Sequence, residues 1–296
     1  MRKFLRFVKA DKDMIHVAIT IGIRAEIVEL LQQSAGMSEE EQIKCLLSQA
    51  LEANNTEQVQ QFLATGTSPD IALDAFENRP LHRARSAQMV RLLIGAGANV
   101  NGLNRYGEPP LFFARGEVLE SLLTAGADAK IIAKYGQSAL MYYHSAREIR
   151  MLLAAGANPC AIHASGETAL HSVADAESVA ILTQLGVNVN ARDILGDTPL
   201  FLTHKPDIAK ALLAAGADPC AVNKKGATPL HKCTVPSIAE ILLEAGAHVN
   251  AEDAHGRTPL DWALAHPHRS MIKKQLITTL IRAGGKKGSG QQNPDN

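Results

Sequence analysis

The side chains best suited to chemistry are eleven histidines and four cysteines in a chain of 296 residues. A catalytic or metal site needs several such groups close together in space. Two pairs show a regular spacing instead: His144 and His204 are sixty residues apart, and so are Cys160 and Cys220. Spacing of this kind is typical of repeated structural units, in which equivalent residues stand in separate layers.

Layering of this kind argues against a shared site for either pair. If each unit is one layer of helices ~8–10 Å thick, residues two units apart lie roughly 20 Å from each other. One metal ion cannot bridge His144 and His204 at that distance. A disulfide between Cys160 and Cys220 would need Cα atoms within ~7 Å of each other. With no phosphate-binding loop, His-Glu-x-x-His motif or nucleophile elbow in the sequence, we predict no catalytic residues, no metal and no cofactor.

Two markers define the repeated unit. The first marker is a glycine followed by a Thr-Pro-Leu-like stretch. Residues 78–82 form an earlier copy of this marker, in which Asn78 takes the place of the glycine. A Leu-Leu pair before a Gly-Ala dipeptide recurs in phase with it, beginning at Leu92. The glycines follow one another at spacings of 29, 30, 30, 30 and 30 residues: Gly107, Gly136, Gly166, Gly196, Gly226 and Gly256.

The residue types within a unit predict two antiparallel helices and a turn. Thr198 and Pro199 suit the N-cap and first helical position of one helix. The Leu-Leu pair ends a second helix, and the glycine after it suits a left-handed C-cap. A short polar stretch such as 188–193 then leads into the next unit.

These motifs resemble the ankyrin repeat, which has a usual length of ~33 residues and a Thr-Pro-Leu-His-x-Ala signature. The resemblance covers residues 72–285 and implies an all-α solenoid of about nine stacked helix-turn-helix units with turn fingers. Three or four residues are missing between the helices, so we expect a tightened inter-helix loop. Residues 1–71 are interpreted as two degenerate capping repeats, and 72–285 as the array with an extended C-terminal capping repeat. A disordered tail is expected over 286–296.

The resemblance also implies a role for three histidines. His82, His171 and His231 occupy the histidine position of the signature. Thr168 and Thr228 match the threonine that forms a structural hydrogen bond with that histidine in the family. We therefore interpret these histidines as structural.

Charge and hydropathy limit the class of partner. Thirty Lys and Arg residues balance thirty Asp and Glu residues, so the formal net charge is zero. A neutral chain is a poor match for a general nucleic-acid binder, and no apolar run reaches the ~20 residues of a membrane span. A short basic, Phe-containing segment at 2–9 leaves surface contact with a membrane as a weaker hypothesis. We expect another protein as partner.

Aromatic and basic side chains near the turn tips are the candidate partner-binding residues. Tyr106 and Tyr135 share a tip position, and Phe113 and Tyr142 share a position on the first helix. If identical positions line up in space, two aromatic rows converge on one part of a concave groove. A second candidate is the Lys224–Lys225 tip with Lys232, which could meet an acidic partner. The proposed binding residues are Arg83, Arg105, Tyr106, Phe113, Lys134, Tyr135, Tyr142, Lys224 and Lys225.

The leading functional hypothesis is a non-catalytic protein–protein interaction module, expected as a monomer. Single-array ankyrin proteins of bacteria and intracellular parasites resemble it, which implies an effector, inhibitor or immunity-type protein that neutralises or retargets its partner. Four cysteines are too few for a disulfide scaffold and suit a reducing compartment. We expect the cytoplasm, or the host cytoplasm for a secreted effector. The alternative is an enzyme with a site in the groove or the N-terminal region.

Overall fold

The computed structural model describes residues 38–265 and 271–290. The first of the two degenerate repeats and the basic N-terminal segment lie outside the described residues. Over the described ranges the chain forms helices and turns and no β-strand. This confirms the all-α prediction.

Each repeat contributes a short first helix and a longer second helix. The first helices are Pro80–Arg83, Pro110–Phe113, Ala139–Met141, Ala169–His171, Pro199–Leu202, Pro229–Lys232 and Pro259–Ala265. The second helices are Ala87–Gly95, Glu117–Thr124, Ala146–Ala154, Ala176–Gln184, Pro206–Ala214, Pro236–Glu244 and Met271–Arg282. Before them, Glu39–Glu52 and Thr56–Ala64 form the second of the two expected degenerate repeats.

The shortening of the repeat falls mainly on the first helix, whereas the sequence predicted only a tighter loop. Between residues 80 and 232 each first helix is a single turn of three or four residues. Extended residues such as Thr203, at ψ 137°, then end that turn. Pro206 requires an extended residue before it and opens the next helix, so the first helix cannot continue.

The glycine position of the earliest Pro-Leu copy is corrected by the backbone. The sequence placed Asn78 there, but Glu77 adopts the left-handed conformation, at φ 60°. The equivalent Gly107 has φ 76°. The correct spacing between these positions is therefore thirty residues, and Glu77 bears a conformation that favours glycine.

Leucines at repeated positions build the core. One leucine comes from the first helix and one from the second, as with Leu200 and Leu212, which are almost completely buried. Phe112 and Tyr143 are also fully buried, which fits packing inside the repeats rather than binding a partner. This leucine- and alanine-rich packing explains how repeats of a chain with 4 % aromatic residues bury a hydrophobic core.

The described chain divides into two compact units. Unit 1 comprises the described residues up to Ala133, and unit 2 begins at Lys134. No helix within 38–265 or 271–290 has the length and apolar character that a membrane crossing requires.

The residues after the last helix continue the repeat pattern over a short distance. The Lys286 amide donates to Asn250 Oδ1 (2.7 Å), as the Asp218 amide does to Asn190 Oδ1 (2.9 Å) two repeats earlier. The Gly290 amide donates to the Gly256 carbonyl (2.8 Å). Residues 286–290, the first part of the expected disordered tail, are thus bound to the last repeat, and 291–296 lie outside the described residues.

Candidate functional site

The turn that precedes each first helix is held by one polar side chain. Asn223 Oδ1 accepts hydrogen bonds from the amides of Lys225 (2.9 Å) and Ala227 (3.0 Å). Asp193 does the same for Leu195 and Asp197, at 2.8 Å each. We call this element the finger turn; its first residue is the cap and its next two residues are the tip. The cap side chain accepts hydrogen bonds from the backbone amides of the turn, so the tip side chains are not needed for that purpose.

Within each unit, neighbouring finger turns are joined by backbone hydrogen bonds. In unit 1 the Arg105 amide donates to the Phe76 carbonyl (2.8 Å). In unit 2 the Lys224 amide donates to the Leu195 carbonyl (2.9 Å), and the Ala254 amide donates to the Lys225 carbonyl (2.9 Å). Tip residues of successive repeats are therefore spatial neighbours within a unit.

Unit 1 presents an aromatic pair at its finger tips. Phe76 and Tyr106 stack with ring centroids 5.9 Å apart, and they are 50 % and 40 % exposed. Phe113, 42 % exposed, packs on the ring of His82 at 5.7 Å. The predicted residues Tyr106 and Phe113 are thus accessible. Phe76 was not among the binding residues predicted from the sequence.

The two predicted arginines of unit 1 make structural hydrogen bonds. Arg83 donates to Asp74 Oδ2 (2.8 Å) and to Glu52 Oε1 (3.1 Å). Arg105 Nη1 donates to the Ala75 carbonyl (3.2 Å). Partial burial acts to raise the pKa of Asp74, but hydrogen bonds from the Asn78 side chain and amide, and from Arg83, outweigh it and lower the pKa. Arg83 therefore holds the first finger turn while part of its side chain stays accessible.

The finger turn at the start of unit 2 departs from the others. The cap position holds Ala133, which has no side-chain acceptor. Tyr135 takes the left-handed conformation at φ 65° and is 65 % exposed. Lys134 beside it is exposed. Because Tyr106 belongs to unit 1 and Tyr135 to unit 2, their alignment in one row stays a prediction.

Tyr142 lines a pocket of about 210 Å³ in unit 2. Its side chain is only partly exposed. Other lining residues are Met141, His163, Glu167 and His171.

The lysine tip of unit 2 is accessible, but Lys232 is not part of it. Lys224 and Lys225 are both exposed. Lys232 forms an ion pair with the fully buried carboxylate of Asp197, and its ammonium lies 5.9 Å from the ring centre of Phe201. The buried carboxylate holds Lys232 in the repeat, so the expectation that it joins the tip lysines is corrected.

The signature histidines are structural, and two of them, His231 and His82, connect successive repeats. His231 Nδ1 accepts from the Thr228 amide (3.0 Å) and hydroxyl (2.9 Å), and its Nε2 donates to the Arg257 carbonyl (2.9 Å). His82 Nε2 likewise donates to the Glu108 carbonyl (3.0 Å). Thr168 and His171 form the expected pair at 3.2 Å. The structural interpretation of these three histidines is confirmed, and burial lowers the pKa of each.

Residues 200–281 match a family model described as ankyrin repeats in three copies. This segment consists of ankyrin repeats. No curated protein matches the chain. The same cap, finger-turn and glycine positions occur as early as Asp74 and Glu77, well before the matched segment.

Exposed aliphatic residues on the finger turns of unit 2 were not among the binding residues predicted from the sequence. Ile162 and Val222 lie directly before a cap, and Ile194 and Leu195 form a tip; each is at least half exposed. The sequence carries a signal for them, because aliphatic residues are unusual in an otherwise polar turn.

The chemistry of the Tyr142 pocket is limited. Ser165 Oγ is hydrogen-bonded to His163 Nδ1 and to Glu167 Oε2, the latter at 2.9 Å. Glu167 Oε2 also lies 3.6 Å from His163 Nδ1. The carboxylate and the serine therefore share one ring nitrogen, whereas a nucleophilic triad requires them on opposite nitrogens of the histidine. Burial lowers the pKa of His171, which lines the same pocket. The finger turn uses His163 as its cap, since His163 Nδ1 also accepts from the Ser165 amide (3.2 Å).

Metal-binding geometry is missing from the part of the chain that the structure describes. No three His, Cys, Asp or Glu side chains within 38–265 and 271–290 are grouped so that they could hold an ion. Cys160 is exposed and Cys220 is partly exposed; both are free thiols.

Proposed function

We propose that this ankyrin-repeat protein binds a partner protein through its finger turns. Ankyrin repeats generally mediate protein–protein interaction. The observation that carries the proposal here is the stacked, half-exposed pair of Phe76 and Tyr106 on two finger turns joined by a backbone hydrogen bond. Large aromatic side chains contribute much of the binding energy of protein interfaces.

The rigidity of the finger turns supports recognition with little loss of entropy. Asp74 Oδ1 accepts from the amides of Phe76 (2.9 Å) and Asn78 (3.0 Å), and Asn104 Oδ1 accepts from those of Tyr106 (2.9 Å) and Glu108 (3.0 Å). The backbone that bears the aromatic pair is therefore already ordered before binding. In unit 1 the proposed surface also includes Phe113. In unit 2 Tyr135 and Tyr142 remain predicted binding residues, together with Lys134.

The proposed consequence of binding is neutralisation or retargeting of the partner, as by an effector, inhibitor or immunity-type protein. The site of action proposed is the cytoplasm, or the host cytoplasm for a secreted effector, with the protein acting as a monomer. The exposed free thiol of Cys160 supports a reducing compartment.

Catalysis has less support. An enzyme site in this protein would need convergent titratable groups. In the described pocket, His163 and Glu167 are instead hydrogen-bonded to Ser165 within one finger turn. The N-terminal region named in this alternative lies largely outside the described residues.

The test is site-specific photocrosslinking in the native cell. A photoreactive phenylalanine analogue replaces Tyr106 in one full-length chain and Met271, an exposed residue of the last second helix, in another. We expect a discrete partner to be captured from position 106 and not from position 271.

The captured partner then allows an affinity measurement. The double variant F76A/Y106A should bind it about tenfold or more weakly than the unmodified chain does, while circular dichroism stays unchanged. The control is L185A, which truncates an exposed leucine outside the finger turns. Equal affinity of F76A/Y106A and L185A, or capture from position 271 alone, contradicts the proposal.

A further inference from the structure

The middle finger turns of unit 2 form a second exposed surface with a mixed character. It consists of Ile162, Ile194, Leu195, Val222, Lys224 and Lys225, and we call it the basic–apolar surface. Its four aliphatic residues are each at least half exposed. Exposed aliphatic residues grouped on adjacent turns are unfavourable in water and mark a surface that another molecule covers.

Backbone contacts bring the parts of this surface together. The Lys224 amide donates to the Leu195 carbonyl (2.9 Å). The Arg192 guanidinium bonds to the Val222 carbonyl and to the Gly196 carbonyl (3.2 Å), which ties two finger turns to each other. At Gly166 an added Cβ would lie 2.3 Å from the Arg192 carbonyl oxygen, so the turn after Ile162 is in close contact with the same segment. The surface is therefore one fixed arrangement.

The charge of the surface is positive because its carboxylates are used internally. Asp193 caps its own finger turn. Asp197 is fully buried and bonded to Lys232 and to Asn223 Nδ2 (2.8 Å). Neither Lys224 nor Lys225 has a carboxylate within salt-bridge distance over the ranges 38–265 and 271–290. Two ammonium groups without a carboxylate partner among the described residues thus share this surface with four aliphatic side chains.

We infer that the basic–apolar surface binds an acidic peptide segment of a partner protein, one that carries aliphatic or aromatic side chains beside its carboxylates. An uncharged apolar segment would desolvate Lys224 and Lys225 without pairing them, which is unfavourable. A nucleic acid would pair with the lysines but leave the aliphatic residues uncovered. Only the acidic and apolar combination complements both features. This inference deepens the proposed function and rests on it.

The experiment selects ligands from a displayed library of random peptides on the immobilised full-length chain. We expect the enriched peptides to combine Asp or Glu residues with aliphatic or aromatic ones. Fluorescence anisotropy of an enriched peptide then compares variants. K224E/K225E and I194S/L195S should each weaken binding about tenfold or more, since one reverses the charge and the other removes the apolar contact.

A matched control separates local charge from net charge. K210E/K274E makes the same change in net charge at two exposed lysines of second helices, and it should leave the affinity unchanged. All variants change exposed residues, and circular dichroism verifies that they fold.

Several outcomes would overturn the inference. The selection could enrich no peptide, or it could enrich basic or uncharged peptides. K224E/K225E could also bind the enriched peptide with the same affinity as the unmodified chain. Binding of single-stranded RNA or of phosphatidylserine vesicles that requires the lysines but is insensitive to I194S/L195S would overturn it as well. If enriched peptides depend on Phe76 and Tyr106 instead, the inference fails while the proposed function stands. If the crosslinking from position 106 also captures nothing, both fail.

Discussion

At the scale of single residues, the hydroxyl position of the repeat shows how one substitution changes its neighbour. Thr228 donates its hydroxyl to His231. Where the histidine is replaced by Phe201, the hydroxyl of Thr198 is buried and has no hydrogen-bond partner among the described residues. In another repeat, Ser138 takes the position of Thr198 and Met141 the position of the histidine. The hydroxyl of Ser138 is also buried without a hydrogen-bond partner among the described residues. The polar residue remains in these repeats although its partner has changed.

This difference predicts opposite effects of one substitution at two equivalent positions. Thr198→Val keeps the shape of the side chain and removes an unsatisfied buried hydroxyl, so we expect unchanged or higher stability, by up to ~1 kcal/mol. Thr228→Val removes a hydrogen bond to His231 and should lower stability by about 1 kcal/mol. Urea unfolding of both variants measures the effect. Equal destabilisation by the two substitutions would show that the hydroxyl of Thr198 has a partner after all.

At the scale of elements, the finger turn depends on its cap and its glycine together. The cap fixes two amides, and the glycine allows the following repeat to approach. Gly166 has φ 83°, and an added Cβ would lie 2.3 Å from the Arg192 carbonyl oxygen. Gly186, at the end of a second helix, has φ 85° but no atom within 4 Å of an added Cβ. The two glycines therefore share the backbone conformation and differ in their surroundings.

Alanine substitutions separate these two causes. Gly186→Ala should cost only the left-handed strain, about 1 kcal/mol. Gly166→Ala adds a clash with the backbone of the next repeat and should cost about 1–3 kcal/mol more. Thermal and urea unfolding measure both. Similar losses at the two positions would mean that the backbone around Arg192 yields easily, and that the finger turns are less tightly joined than the distances indicate.

The Ala133 finger turn shows what happens without a cap. With no side-chain acceptor at that position, the tip residue Tyr135 adopts a left-handed conformation that Leu195 and Lys225 do not share. Its side chain is left 65 % exposed. Tyr135, one of the two tyrosines that the sequence placed at a tip, thus lies on an irregular turn.

At the scale of the whole molecule, the last repeat is completed by a short extension rather than by another helix pair. Gly288 donates its amide to Asp261 Oδ2 (2.8 Å), and Ser289 donates its amide and hydroxyl to Glu252 (2.9 and 2.8 Å). The Thr258 hydroxyl donates to the Lys286 carbonyl (2.7 Å). These bonds satisfy polar groups that the next repeat satisfies elsewhere in the array.

Truncation tests this role of the extension. Removal of residues 286–296 should lower the unfolding temperature, because polar groups of the last repeat lose their partners. Removal of 291–296 alone leaves those hydrogen bonds intact and serves as the control. If the two truncated chains unfold at the same temperature, the extension does not stabilise the last repeat.

The sequence by itself determined the repeat, its helices and its structural histidines. This was possible because glycine conformations, N-caps and buried leucines are local requirements that recur at fixed spacing. It also located the finger tips, and Tyr106, Phe113, Tyr135, Lys224 and Lys225 are accessible as expected.

Only the tertiary structure decided which of these side chains remain available. Lys232 lies 35 positions from Asp197, and Arg83 lies 31 positions from Glu52, so their ion pairs depend on how repeats stack. The tertiary structure also decided the length of the first helix and the left-handed conformation of Glu77. It likewise decided the exposure of Ile162 and Val222. Pairing and exposure depend on neighbours brought close by folding, which the local sequence does not specify.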